Sequence, residues 1–142
     1  MRRVAVLLAV GLCAAGCGGG AKKQVTVPTT AILTDVRARA DSISFDFRTA
    51  PLRVTATYHR GSPAQCGSGA RVRLRGSAAL VVHFTPAMTS GVERRIRVGG
   101  GPVLELAKFC DFEADVGWAI GLDKRRPFQL VRRGATVFID FR

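Results

Sequence analysis

The chain has 142 residues and a formal net charge of +12 at neutral pH, and 47% of its residues are hydrophobic. This length indicates a single domain, and the hydrophobic content excludes an intrinsically disordered chain. Its four cysteines are too few for a miniature fold held together by a dense set of disulfides.

The first segment in chain order is typical of an export signal. Two arginines precede residues 4–15, which are nearly all apolar. This is the length of a signal-peptide core, and it is well below the ~20 residues that a helix needs to span a bilayer. Small residues at 14–16 then lead directly to Cys17. The pattern predicts a signal peptide over residues 1–16.

The sequence Ala-Ala-Gly-Cys at residues 14–17 resembles the lipobox of bacterial lipoproteins. The resemblance implies that the thiol of Cys17 receives a diacylglyceryl group and that Cys17 becomes the first residue of the mature protein. Two acyl chains hold a protein stably on a bilayer, whereas one holds it weakly. The predicted location is therefore the extracytoplasmic face of the cell membrane. An ordinary cleaved secretory signal and an uncleaved apolar terminus are the alternatives.

Two further features belong to this region. Cys13 follows a leucine rather than a small residue, and its spacing from Cys17 does not match a Cys-x-x-Cys redox motif. Residues 17–30 are rich in glycine, threonine and lysine and are predicted to be a flexible linker. Their two lysines would lie near anionic lipid headgroups, although a plain spacer is the simpler interpretation.

From residue 31 onward, apolar residues recur with period two, which is the pattern of strands with one buried face. Short glycine- and proline-containing segments separate these runs, and no run has a helical stripe. The pattern predicts an all-β domain over residues 31–142, an antiparallel β-sandwich or open barrel of about eight to ten strands. The predicted strands cover residues 42–48, 52–58, 71–75, 79–84, 94–98, 103–109, 112–122, 128–133 and 135–142.

Cys66 and Cys110 are the cysteines of the predicted domain. An even pair of thiols in an oxidising compartment favours a disulfide, which would contribute about 4 kcal/mol for a loop of this length. A reactive thiol or a metal ligand is the alternative. A metal site needs more ligands than His59 and His83 supply, so no metal or cofactor is predicted.

Three carboxylates alternate in the run of residues 110–118. If this run is one strand, Asp111, Glu113 and Asp115 lie on the same face. Together with a histidine they could act as acid and base, so a small envelope hydrolase is the alternative function. Cross-strand pairing with arginines explains these carboxylates more simply. No nucleophile-elbow, zinc-protease, P-loop or Rossmann motif occurs, and the protein is not predicted to be an enzyme.

Arginine supplies most of the positive charge. Arg71, Arg73 and Arg75 share one face of a predicted strand, and Arg125 and Arg126 form a second group. Guanidinium groups bind carboxylate and phosphate bidentately, so these five are candidate anion-binding residues. A solvated, arginine-rich surface is an equally good interpretation. Nucleic acid fits the charge but not the compartment, and the oligomeric state is left open.

The closing third of the chain carries a family resemblance. Gly121, Leu122 and Asp123 are followed by basic residues and by Arg126, Pro127 and Phe128. With the apolar run up to Phe141, this segment resembles the final strands of the AMIN-like domain of bacterial lipoproteins. Residues 33–47 and 81–92 are similar to the opening hairpin and the middle of that domain.

The resemblance covers residues 31–142 and implies a β-sandwich related to amidase N-terminal (AMIN) domains, which are cell-wall targeting modules. It implies no catalytic activity. The predicted function is a lipid-anchored binding or scaffolding module that contacts peptidoglycan, an anionic wall polymer or an envelope protein. The chain departs from the family pattern in the Cys66 and Cys110 pair and in residues 133–135, so the loops there are expected to differ.

Overall fold

The computed structural model describes residues 29–142. The predicted signal peptide, Cys13, Cys17 and nearly all of the predicted linker lie outside the described residues. Within the described part, the chain forms ten β-strands, and it contains no helix that could cross a lipid bilayer. The all-β prediction is therefore confirmed.

The strands form two five-stranded sheets that pack face to face. The first sheet has the order β5-β1-β2-β10-β9 and the second has the order β3-β4-β8-β7-β6. Neighbouring strands are antiparallel, except that β1 and β5 are parallel. The strands are β1 (Ala31–Ala38), β2 (Ser42–Phe47), β3 (Arg53–His59), β4 (Ala78–Thr85), β5 (Ala87–Thr89), β6 (Arg95–Arg97), β7 (Val103–Phe112), β8 (Asp115–Leu122), β9 (Phe128–Arg133) and β10 (Thr136–Phe141).

The hydrophobic core lies between the inner faces of the two sheets. Phe45 of the first sheet meets Phe84 and Trp118 of the second, with ring centroids 4.9 Å and 6.1 Å apart. All three side chains are fully buried. Tilted and edge-on aromatic pairs at these distances are the favourable geometries. Alternating residues on β2 supply this core, as the period-two pattern predicts.

The prediction of a strand at residues 71–75 is wrong. The segment belongs to residues 60–77, hereafter the crossing loop, which runs over the outer face of the second sheet. Val72 and Leu74 alternate because they pack onto Val81, Phe109 and other residues of that face. The amide of Val72 donates to the Pro63 carbonyl within the loop rather than to a sheet strand.

The prediction of one long strand over residues 112–122 is also wrong. β7 ends at Phe112 and β8 begins at Asp115, so the segment contains a tight hairpin. Glu113 and Ala114 form its turn with φ values of 49° and 59°. Two-residue turns with positive φ match the twist of antiparallel strands. The three alternating carboxylates therefore do not share one strand face.

The two ends of the sandwich hold different connections. The described chain enters β1 at one of them, hereafter the entry end, where the Ala31 amide donates to the Pro86 carbonyl. The hairpin turn lies at the same end, because the Ala87 amide donates to the Ala114 carbonyl. The opposite end, hereafter the far end, holds the connection from β8 to β9 at residues 123–127.

Candidate functional site

The crossing loop is attached to the sheet by a disulfide. Cys66 and Cys110 are bonded, with their Cα atoms 5.1 Å apart. The amide of Cys66 also donates to the Phe109 carbonyl of β7. Beneath the loop, these residues form a small apolar cluster with Val81 and Ala119. The disulfide thus fixes the middle of the loop against the outer face of the sheet.

A buried carboxylate attaches the second half of the loop. Glu105 of β7 is only 3% exposed. Its carboxylate accepts hydrogen bonds from the Arg75 amide at 3.0 Å and from the Arg95 guanidinium at 2.5 Å. Arg95 also donates to the Arg73 carbonyl. A buried carboxylate needs such partners, and here they join the loop, β6 and β7.

The environment of Glu105 keeps its carboxyl ionised. Burial is the largest single influence and raises the pKa of Glu105. The hydrogen bonds from Arg95 and the Arg75 amide, together with the positive charges of Arg95 and Arg97, outweigh burial. The pKa is therefore held below its ordinary value of 4.5.

A glycine allows the loop to lie this close to the sheet. A Cβ atom at Gly121 of β8 would lie 2.2 Å from the Arg75 carbonyl oxygen. Real Cβ atoms do not approach so closely, so any side chain at this position would displace the loop. Gly121 is also part of the motif that carries the family resemblance. The close approach of the crossing loop explains why this position of the motif is a glycine.

Between the crossing loop and the strands β6 and β7 lies the basic groove, defined by Arg71, Arg73, Arg94, Arg95 and Lys108. Its volume is about 400 Å³, and its remaining lining residues are Gln65, Ala70, Val72 and Ala107. None of these lining residues is acidic. Within residues 29–142, neither Arg73 nor Arg94 forms an ion pair. The groove therefore brings together several guanidinium groups, of which Arg95 alone is paired with a carboxylate among the described residues.

The structure divides the first group of predicted anion-binding residues. Arg71 and Arg73 line the basic groove, while Arg75 is not among its lining residues and contributes its backbone amide to Glu105. Arg94, Arg95 and Lys108 complete the groove and were not among the predicted site residues. The charges near residue 94 are visible in the sequence, but their proximity to the crossing loop depends on tertiary contacts.

The second predicted group lies in a far-end pocket defined by Tyr58, Arg125, Arg126, Pro127 and Phe128, with a volume of about 460 Å³. The Arg125 guanidinium lies over the Tyr58 ring at 4.7 Å, and the Phe128 ring meets Tyr58 edge-on. A cation stacked on an aromatic ring is a favourable arrangement.

Arg126 has a different role from Arg125. It donates two hydrogen bonds to the Asp123 carboxylate, at 3.0 Å and 2.8 Å, and its backbone carbonyl accepts from the Tyr58 hydroxyl. The hydrogen bond from Arg126 is the main reason that the pKa of Asp123 is lowered to about 2. Arg126 is therefore committed to holding the far-end connection, while the Arg125 head group faces the pocket.

One carboxylate–histidine pair does come together. Nδ1 of His83 lies 3.0 Å from both carboxylate oxygens of Asp115. Cys110 Sγ lies 4.0 Å from Oδ2 of Asp115, and this sulfur atom belongs to the disulfide. His59 lies elsewhere, at the end of β3, with Nδ1 3.3 Å from the Gly61 carbonyl oxygen.

The other two acids have unrelated surroundings. Asp111 is paired with Lys108 at 2.9 Å and bonded to Thr89. Burial raises the pKa of Asp111, but the hydrogen bonds from Lys108 and Thr89 outweigh it and lower the pKa. Glu113 is exposed in the hairpin turn. Among the described residues, no three His, Cys, Asp or Glu side chains are placed to hold a metal ion.

The fold is a two-sheet β-sandwich that carries an exposed, positively charged groove. The sequence pattern of the AMIN-like domain matches residues 24–142, so the chain belongs to the AMIN-like domain family. This confirms the resemblance carried by Gly121 to Phe128. Neither the search of curated proteins nor the search of solved structures returned a match. Membership suggests an extracytoplasmic, peptidoglycan-associated binding module, and such domains are typically non-catalytic.

Proposed function

We propose that this protein is a lipid-anchored binding module of the bacterial cell envelope that holds an anionic wall polymer in the basic groove. The observation that carries the proposal is the groove itself, where five cationic side chains from the crossing loop, its flanking strands and the segment before β6 surround a space with no acidic lining residue. Two of these cations already have carboxylate partners, since Arg95 is paired with Glu105 and Lys108 with Asp111. Arg71, Arg73 and Arg94 form no ion pair within residues 29–142, and like charges placed together repel unless a counter-ion lies between them. Peptidoglycan carboxylates and polymer phosphates supply such counter-ions outside the membrane.

The chemistry of the lining residues fits an extended polymer. A guanidinium group presents two parallel N–H donors, which match the two oxygens of a carboxylate or phosphate. Several such groups along one groove favour a ligand with repeated negative charges over a single small ion. Arg125 in the far-end pocket adds a second point of contact beside the Tyr58 ring. Binding of this kind weakens as salt is added.

The proposal includes no reaction. The His83–Asp115 pair lies on adjacent strands β4 and β8, where it reinforces the sheet. The nearby sulfur is held in the disulfide, so it is not available as a nucleophile. Cys110 therefore cannot be the nucleophile of the alternative function, a small envelope hydrolase.

The lipid anchor is supported by the sequence of residues 1–17. We expect mass spectrometry of the protein extracted from bacterial membranes to show a chain that begins at Cys17 and carries a diacylglyceryl group. The Cys17→Ala variant should lose the modification and leave the membrane fraction. An unmodified Cys17 in the native protein would contradict the anchor while leaving the groove proposal standing.

The groove proposal predicts the effect of charge reversal. The variant R71E/R73E/R94E should bind purified cell-wall sacculi at least about tenfold more weakly than the unchanged domain, since each charge-assisted hydrogen bond contributes about 1.5–3 kcal/mol. The measurement is co-sedimentation of the mature domain with sacculi at low and high salt. Sacculi stripped of covalently attached phosphate polymers separate phosphate binding from peptidoglycan carboxylate binding.

A matched control keeps the net charge equal. The variant R48E/R53E/R60E changes three exposed arginines outside the groove and should bind nearly as well as the unchanged domain. Circular dichroism of both variants checks that they fold. Equal weakening by the two triple variants, or no retention of the unchanged domain on either kind of sacculi, would overturn the proposed function.

A further inference from the structure

We propose that the entry end of the sandwich docks directly on the lipid bilayer, so that the protein is held in a fixed orientation rather than merely tethered. This inference rests on the proposed lipid anchor. It assigns a second membrane contact to residues within the folded domain, and it predicts which end of the domain faces the cell wall.

The large hydrophobic side chains that are exposed within residues 29–142 all lie at the entry end. Leu52 is 67% exposed, Phe112 58% and Met88 47%. Leu52 immediately precedes β3, Met88 is in β5 and Phe112 is the last residue of β7. Exposed apolar residues scattered singly are common, and it is the restriction of these three to one end of the domain from which we infer a contact surface.

These three side chains are spread across the whole end. Met88 pairs with Ile32 at the start of β1, and the neighbouring Ala87 amide donates to the hairpin turn that follows Phe112. Leu52 lies on the other side, where its carbonyl accepts from Arg132 of β9. Three strand spacings separate β3 from β7, or about 14 Å. A flat apolar partner suits such a broad, shallow arrangement better than a single peptide.

The chain itself points to a membrane as that partner. The described chain begins at residue 29 and enters β1 at this end. Cys17 lies twelve residues before that point, and a chain of twelve residues spans at most ~40 Å. The proposed anchor therefore joins the domain at the entry end and keeps this end within ~40 Å of the bilayer.

Charge supports the same orientation. Arg48 and Arg53 are exposed on either side of Leu52, and Arg133 at the end of β9 is exposed at this end too. Two exposed acids flank Phe112: Glu113 in the hairpin turn, and Asp111, whose charge is paired with Lys108. Arginines around apolar side chains match an anionic bilayer, where cations contact headgroups and apolar groups enter the acyl boundary. The far-end pocket, with Arg125, then faces the wall.

The test uses tryptophan as a depth probe. Residues 17–142 contain every described residue, and coupling Cys17 to a maleimide-bearing phosphatidylethanolamine anchors this chain to vesicles whether or not cells acylate it. The vesicles contain phosphatidylcholine and phosphatidylglycerol, with or without brominated acyl chains, which quench nearby tryptophan. The native Trp118 is fully buried and contributes the same background to every sample.

We expect brominated lipid to reduce the emission of F112W. The matched control is G99W at the far end, a position with open space around it and no left-handed backbone, and its emission should not change. Adding L52S and M88S to F112W should reduce the quenching, because two of the three apolar contacts are lost.

The outcomes separate this inference from the proposed function. Unquenched F112W, or equal quenching of F112W and G99W, would overturn the docked orientation even if the domain binds sacculi. Quenching of F112W alone supports docking even if the sacculus experiment fails. A second copy covering the entry end would give a dimer in analytical ultracentrifugation together with unquenched F112W, which also overturns docking.

Discussion

Replacing Cys66 and Cys110 together with alanine should lower the free energy of unfolding by about 4 kcal/mol. The disulfide joins residues 44 positions apart, and a loop of this length in the unfolded chain loses that much entropy when it is closed. Urea denaturation of residues 17–142, followed by tryptophan fluorescence, measures the change. The midpoint of the curve should move to a lower urea concentration, because the unfolded chain gains conformational entropy when the disulfide no longer restricts it.

The disulfide should also affect binding, because it holds the loop that carries Arg71 and Arg73. Reduction of the unchanged protein should reproduce both the stability loss and a weaker retention on sacculi. Cys17→Ala, which removes a thiol outside the described residues, is the control and should leave the unfolding curve in place. A stability loss below about 1 kcal/mol for C66A/C110A would contradict the prediction, since it is far from the loop-closure value.

The parts of the fold that were predictable are those where side-chain alternation and sheet pairing coincide. In β2, Ile43, Phe45 and Phe47 alternate and are all buried in the core. In β10, Val137, Ile139 and Phe141 do the same. Each strand lies in a sheet with one face on the core, so every second side chain is buried. The same alternation in the sequence is what predicts the strand.

Apolar alternation gave a wrong strand prediction at residues 71–75, where the apolar side chains are buried against the outside of a sheet rather than in the core. Val72 and Leu74 pack on the outer face of the second sheet although their backbone pairs with no strand there. The hairpin at Glu113 and Ala114 was hidden for a different reason. Its turn has positive φ at both residues without glycine, and turn composition is the signal that sequence reading uses.

The candidate groove was only half visible in the sequence. Arg71 and Arg73 were identified, but Arg94 joins them only because the crossing loop lies against β6 and β7. One residue does carry a signal for that packing. Glu105 is a lone carboxylate in an apolar run, and a charge in such a place requires buried partners. The need of Glu105 for buried partners indicates that another segment of the chain covers β7 at this residue.

Glu105 therefore shapes the basic groove without lining it. Its carboxylate is contacted by Arg95, which lines the groove, and by the Arg75 amide of the crossing loop. If it were absent, the Arg75 amide and the Arg95 guanidinium would lose their shared acceptor, and the hydrogen bonds from Arg95 to the Arg73 carbonyl would remain as a weaker link between β6 and the loop. The groove residues then keep their positive charges but not their spacing.

Glu105→Gln should lower the free energy of unfolding by about 2–3 kcal/mol at neutral pH. The amide keeps the shape of the side chain but replaces one acceptor with a donor, which then faces either the Arg95 guanidinium or the Arg75 amide. The loss is smaller than for a fully buried ion pair because Arg95 is 42% exposed and regains contact with water. Urea denaturation measures it, with Glu93→Gln as an exposed control that should change stability by less than about 0.5 kcal/mol.

The same comparison has a pH dependence with a fixed sign. The pKa of Glu105 is lower in the folded protein than its ordinary value of 4.5, so its ionised form stabilises the fold at pH values above 4.5. The stability gap between the unchanged protein and E105Q should therefore be constant above that pH and shrink as the pH falls through the folded pKa. A gap that stays constant down to acid unfolding, or that widens in acid, would show that the carboxylate charge does not hold the crossing loop in place.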